Sequence, residues 1–84
     1  MYSLEFSEKA ADFIRKLDKS IQKRITKKIE ELKENPYLGE ALVGNLAGLW
    51  KLRIGDYRIT YKVERERLLI FIIKAGHRKN IYER

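Results

Sequence analysis

The chain has 84 residues, a mass of 10.0 kDa, and 19 Lys and Arg against 12 Asp and Glu, for a net charge of +7. That length holds one core, so residues 1–84 are expected to form a single domain, and 44% hydrophobic content is ample for it despite 37% charged residues. The lack of cysteine excludes a disulfide scaffold, a thiolate zinc site and a thiol nucleophile, and a lone His77 argues against a metal cluster, so neither metal nor cofactor is expected.

Residues 2–6 alternate Tyr2, Leu4 and Phe6 with Ser3 and Glu5, the pattern of a half-buried strand. Ser7 can cap a helix that has Glu8 in its first turn and Ala10, Phe13, Ile14 and Leu17 at helical spacing. Asp18 or Ser20 restarts the pattern, and Ile21, Ile25, Ile29 and Leu32 form a second apolar stripe that stops at Asn35-Pro36. Lys16, Lys19, Lys23, Lys27 and Lys28 give these helices a basic stripe. A basic stripe of this kind can suggest membrane contact, but with Glu30, Glu31 and Glu34 close behind it reads first as a solvated face, with ribosomal RNA contact a more distant alternative.

Gly39 to Gly48 reads as a loop. Leu49 to Ile54, Gly55-Asp56 and Tyr57 to Val63 form a two-residue hairpin, and Leu68 to Ile73 is an apolar run suited to a covered strand. A short basic tail, 75–84, follows, in which Gly76 would allow a sharp turn. The order β-α-α-β-β-β predicts an α+β domain, with an N-terminal helical hairpin packed on a mostly antiparallel four-stranded sheet. No apolar run approaches the ~20 residues of a membrane span and no signal-peptide pattern opens the chain, so a cytoplasmic protein without membrane contact is expected.

Charge divides unevenly. Residues 1–47 hold 9 basic and 8 acidic side chains, whereas residues 48–84 hold 10 and 4. Either a polyanion partner or a surface kept soluble by lysine accounts for this. The hairpin sharpens the question. A two-residue turn sets Arg53 opposite Arg58, places Trp50, Leu52, Ile54, Tyr57, Ile59 and Tyr61 on a core face, and leaves Lys51, Arg53, Arg58, Thr60 and Lys62 on the other. Two like charges at roughly 5 Å repel by about 1 kcal/mol in water, and by about 3 kcal/mol at an effective dielectric near 20. An anion such as phosphate between the cations would reverse that, and arginine's planar fork suits phosphate oxygens. The alternative is that the side chains splay into water. His77, Arg78, Lys79 and Tyr82 would extend the same basic surface.

The run Leu49 to Val63, with Tyr57-Arg58 after the turn, and the later Gly76-His77-Arg78 resemble the RelE/ParE superfamily of bacterial and archaeal toxins. The helical hairpin ending at Asn35-Pro36 and the approach Leu46-Ala47-Gly48-Leu49-Trp50 fit the same pattern, so the resemblance covers essentially the whole chain. It implies a small sheet with two N-terminal helices. It also implies a toxin of a type II toxin–antitoxin system. RelE-type members cut messenger RNA in the ribosomal A site and are held inactive by a cognate antitoxin; ParE-type members act on DNA gyrase. By resemblance Lys51 and Arg53 match the basic pair of the first hairpin strand, Arg58 the arginine of the second, Arg78 the arginine after the last strand and Tyr82 the C-terminal catalytic tyrosine. Arg78 to Tyr82 is a shorter stretch than in some members.

The RelE-type reading makes Lys51, Arg53, Arg58, Arg78 and Tyr82 the catalytic set, with Lys62, His77 and Lys79 holding nucleic acid. Partners would be the antitoxin, the ribosome and messenger RNA. The RNA's own 2′-hydroxyl would attack the adjacent phosphorus, without a metal, while the cations stabilise the added charge. Tyr82 or His77 would move the proton. The competing readings are a gyrase inhibitor without nuclease chemistry and an inactive RNA-binding member.

Overall fold

In the computed structural model, which describes residues 1–78, Ser7 ends strand β1 (Ser3–Phe6) and starts helix α1 (Glu8–Arg15). Its Oγ accepts from the Ala10 N–H at 3.0 Å and donates to the Ile73 carbonyl at 2.7 Å. One hydroxyl thus satisfies an orphan helix donor and pins the helix start to the last strand. Helix α2 (Lys19–Glu30) begins after Asp18, whose side chain makes no capping bond, and tightens into a 3-10 turn at Glu31–Lys33. Ile25, Ile29 and Leu32 from this second stripe are fully buried.

The sheet runs β1-β5-β4-β3-β2, with β2 at Glu40–Ala41, β3 at Leu49–Ile54, β4 at Tyr57–Glu64 and β5 at Leu69–His77. β1 is parallel to β5 and every other pairing is antiparallel. The α+β class and the helical hairpin on a mostly antiparallel sheet are as the sequence predicts, but the sheet has five strands rather than four. The extra one pairs Glu40 with Lys51 and Ala41 with Trp50. Two residues are too few to show any alternation, so the sequence carries no periodic signal for it.

β5 lies between β1 and β4, which explains its apolar composition. It also runs further than its apolar stretch. A bulge between Thr60 and Tyr61 pairs Thr60 with Lys74 and Tyr61 with Ile72, and pairing then continues to His77. Gly76 is therefore a buried strand residue opposite Arg58 and not the expected turn, and its φ is not positive. Phe6 also departs from expectation: Tyr2 and Leu4 pack on the core while Phe6 is exposed.

Tyr61 anchors the segment leading into β2. Its hydroxyl donates to the Pro36 carbonyl at 2.9 Å and accepts from the Gly39 N–H at 3.0 Å. Burial pushes the Tyr61 phenol above its usual value, partly countered by the Gly39 hydrogen bond. Gly39 passes so close to β3 that a Cβ there would stand 2.4 Å from the Lys51 carbonyl oxygen. Among the described residues no helix is long and apolar enough to cross a membrane.

Candidate nucleic-acid interface

The site is built on the β3–β4 hairpin. Gly55 has φ +61° and Asp56 is not in the left-handed region, the combination of a two-residue turn with glycine first. The register follows: Ile54 faces Tyr57, Arg53 faces Arg58, Leu52 faces Ile59, Lys51 faces Thr60 and Trp50 faces Tyr61. Trp50, Leu52, Ile54, Tyr57, Ile59 and Tyr61 turn towards the helices and belong to the core or pack on it. Alternation puts Lys51, Arg53, Arg58, Thr60 and Lys62 on the opposite face of the sheet.

The two facing arginines are not equivalent. Arg53 is exposed, whereas Arg58 is 6% exposed and is the buried charged residue among those described. Arg58 Nη1 donates to the carbonyls of Gly55 and Tyr57, each at 3.3 Å. The turn's own acceptors draw this guanidinium down, so the pair separates by depth and not by splaying outward. Gly76, beside Arg58 on β5, presents no side chain to obstruct it.

Lys51 is half-buried one step along the same face. Its row across the sheet reads Glu40, Lys51, Thr60 and Lys74. Sequence reasoning missed both ends of this row. Glu40 sits on the unforeseen β2, and Lys74 lies beyond the apolar run that marked β5. Lys74 had no local signal either, because the strand continues past its apolar run only through pairing with β4. Next to this row is a cavity of about 380 Å³ lined by Leu42, Leu46, Leu49 and Ile73 together with Lys51, Thr60 and Lys74. Cations and an apolar wall therefore share one concavity.

Arg78 joins the hairpin from the end of β5. Its N–H donates to the Asp56 carbonyl at 2.7 Å, and its Nε lies 4.0 Å from Asp56 Oδ1. The turn residue thus sets Arg78 at the same end of the sheet as Arg53 and Arg58. A further arginine comes from the helical layer: a Cβ on Gly55 would stand 2.7 Å from an Arg24 terminal nitrogen. Nothing in the periodicity of α2 pointed to Arg24, which sits on the flank of its apolar stripe.

His77 and Lys62 are placed elsewhere. His77 pairs with Tyr57, on the helix side of the sheet, and their rings meet edge to face at 5.2 Å. Lys62 is two same-face steps from Arg58, roughly 13 Å along the strand, and its Nζ lies 3.8 Å from Glu64 Oε2. Lys79 and Tyr82 lie outside the described residues. Among the described residues no three His, Cys, Asp or Glu side chains converge as metal ligands.

Residues 4–82 match the family model described as the ParE toxin of the type II toxin–antitoxin system parDE. The messenger RNA interferase toxin RelE of Escherichia coli K12 is 31% identical over 80 residues, 93% of this chain and 84% of that one. The fold is similar to the toxin in the RelBE2 toxin–antitoxin complex of Mycobacterium tuberculosis, with TM-score 0.83, 28% identity and coverage of 92% of this chain and 98% of that one. It is also similar to the toxin in the intact E. coli RelBE complex, with TM-score 0.78, 30% identity and coverage of 92% and 96%.

Proposed function

Because the chain belongs to the RelE/ParE family of type II toxins, and is a RelE-type toxin by its similarity to messenger RNA interferases, we propose that it is a ribosome-dependent endoribonuclease whose activity needs no metal. The observation that carries this reading is the common placement of Lys51, Arg53 and Arg58 on one hairpin face, with Arg78 tied to the hairpin turn. Such a set is rich in phosphate-binding charge and poor in acid–base groups.

The substrate supplies the nucleophile. The 2′-oxygen attacks the adjacent phosphorus as its proton is removed, the bond from phosphorus to the 5′-oxygen breaks, and that oxygen takes a proton from water, leaving a 2′,3′-cyclic phosphate and a 5′-hydroxyl. Lys51, Arg53 and Arg58 stabilise the additional negative charge as the phosphorane forms. Arg78 holds the phosphate or assists the departing oxygen. Tyr82 takes the proton from the 2′-hydroxyl in this scheme; a phenol with an ordinary pKa near 10 needs cations beside it to do so. His77 is assigned no proton transfer, because its ring packs on Tyr57 on the helix side. The leucine-lined cavity beside Lys51 gives an exposed base an apolar wall. Acid–base help is modest here, so alignment of the substrate by the ribosome contributes the in-line geometry.

A cognate antitoxin is the expected protein partner, since the M. tuberculosis and E. coli relatives were each solved in a toxin–antitoxin complex. The cytoplasm is the compartment in which this reading places the chain. The deciding experiment adds the purified chain to translating ribosomes without divalent-dependent nucleases and maps RNA 5′ ends. New ends on ribosome-bound message, cyclic-phosphate termini upstream of them, and their loss in Arg58→Ala are expected. Intact message at high protein, together with inhibition of gyrase supercoiling, would replace this reading with the ParE-type one.

A further inference from the structure

We propose that Lys74 is a further substrate-binding residue. Together with Thr60 it holds the phosphate that adjoins the scissile one in the message, and the base between the two phosphates lies against Leu42, Leu46 and Leu49. The proposal rests on the nuclease reading above and gives a role to a part of the hairpin face that the chemistry at the scissile phosphate does not use.

Ile70 and Ile72 of β5 are fully buried in the core, and strict alternation would send Lys74 to the same side. The strand bulges instead. Tyr61 pairs with Ile72, Thr60 pairs with Lys74, and Ile73 has no partner on β4. One extra residue reverses the alternation, so Lys74 emerges on the hairpin face and Ala75 packs on the core. The bulge is fastened from the other edge of the strand: Ser7 Oγ donates to the Ile73 carbonyl at 2.7 Å and the Ser7 N–H to the Ile72 carbonyl at 2.9 Å. Bulges beside functional sites commonly serve to re-aim a side chain.

Thr60 stands between two lysines, paired with Lys51 on β3 and with Lys74 on β5. Two strand spacings put the lysine Cα atoms about 10 Å apart, with a short hydroxyl side chain between them. Arg58 is the diagonal neighbour of both lysines, about 7–8 Å from each. Lys74 is exposed and Lys51 half-buried, and among the described residues neither has a carboxylate within 4.0 Å. Three cations around one hydroxyl repel one another unless an anion joins them, and ammonium and hydroxyl groups are ordinary partners of phosphate oxygens.

The surroundings decide what the anion belongs to. Lys51, Thr60 and Lys74 share the cavity of about 380 Å³ with Leu42, Leu46 and Leu49, and Leu46 is 49% exposed. A free inorganic phosphate would meet the cations and leave the leucines in water. A nucleotide satisfies both, with its phosphate on the ammonium groups and its base on the leucines. Lys74 also lies one same-face step, roughly 7 Å along the strand, from the row in which Arg58 faces Gly76. The arginines Arg53, Arg58 and Arg78 gather at the turn end, so a message whose scissile phosphate sits there reaches Lys74 with the phosphate next in line.

The test is single-turnover cleavage of ribosome-bound message by the parent, K74Q, K74R and T60V. The messages carry either phosphate throughout or an uncharged methylphosphonate on one side or the other of the scissile phosphate. Circular dichroism checks that each variant is folded. On all-phosphate message K74Q should need about tenfold more protein for half-maximal rate, with a much smaller change in the rate at saturation. T60V should shift in the same direction by less, and K74R should regain most of the loss. One of the two methylphosphonates should weaken the parent by about the same factor and leave K74Q no weaker than it already is. Equal half-saturation for K74Q and the parent would overturn the proposal, as would a K74Q that stays as sensitive as the parent to both methylphosphonates. Binding of short single-stranded RNA to the free protein over a range of salt is read alongside, where K74Q should have a log–log slope shallower by about 0.7. If that slope changes but the parent cuts no message, the nuclease reading fails and the phosphate contact stands; if the parent cuts message and K74Q is indistinguishable from it, the reverse holds.

Discussion

Arg53 and Arg58 are cross-strand neighbours on one sheet face, yet one reaches solvent and the other is folded onto the carbonyls of Gly55 and Tyr57. Their charges are thereby given different work. Replacing Arg53 with Ala should leave stability within about 0.5 kcal/mol of the parent, because an exposed charge is lost together with a repulsion. Arg58→Ala should lower stability by about 1 kcal/mol, since it removes charge-assisted bonds to the turn. Both should reduce message cleavage by about 10²–10³-fold, the range for loss of one transition-state charge stabiliser. Urea unfolding beside single-turnover cleavage separates the two effects.

Arg78 and His77 are adjacent in sequence but contact different residues of the hairpin, one tied to Asp56 and the other against Tyr57. Cleavage by Arg78→Ala should fall by about 10²-fold or more, while His77→Gln stays within about threefold of the parent. A larger loss in His77→Gln than in Arg78→Ala would reverse the two roles.

The hairpin was legible because Gly55-Asp56 leaves a two-residue turn only one register, and every facing pair then follows. Ser7 was legible because a helix start needs an oxygen at that position. Other features depend on contacts that no local pattern encodes. Arg58's descent onto its own turn is a tertiary choice among rotamers. The run of β5 through Gly76 passes a bulge in β5 itself, where Ile73 is left without a partner on β4, and Glu40 joins the sheet in a strand too short to have a period. The candidate residues were thus readable as a face, while their depths and the carboxylate beside Lys51 were not.

Tyr61 joins two otherwise loose carbonyl and amide groups to the core through one hydroxyl. Tyr61→Phe should lose about 1–2 kcal/mol, as a buried donor and acceptor lose their partner. The raised Tyr61 pKa also sets a pH dependence. Above about pH 10 the unfolded phenol ionises before the folded one, so the folded state holds more protons and stability falls as pH rises. Below that value the contribution is fully present. Thermal unfolding from pH 8 to 11 should show a steeper alkaline decline in the parent than in Tyr61→Phe.

Gly39 is required for close approach and not for an unusual φ. A Cβ there meets the Lys51 carbonyl oxygen at 2.4 Å and the Tyr61 hydroxyl at 2.9 Å. Gly39→Ala should destabilise by about 1–3 kcal/mol, the usual range for overpacking. Because the clash falls on β3 at Lys51, cleavage should drop beyond the unfolded fraction. Activity corrected for the folded population measures that excess.

The parallel pairing of β1 with β5 joins residues 3–6 to residues 69–72, nearly the full described length apart. On a translating ribosome the opening strand has no neighbour until the closing one has emerged, and β5 is also what α1 and β4 pack against. Arrested nascent chains lacking β5 should therefore remain open to protease, with the sheet completed only once β5 has emerged. A toxin built in this order cannot act before β5 has emerged, so the interval for capture by its antitoxin opens only with that strand.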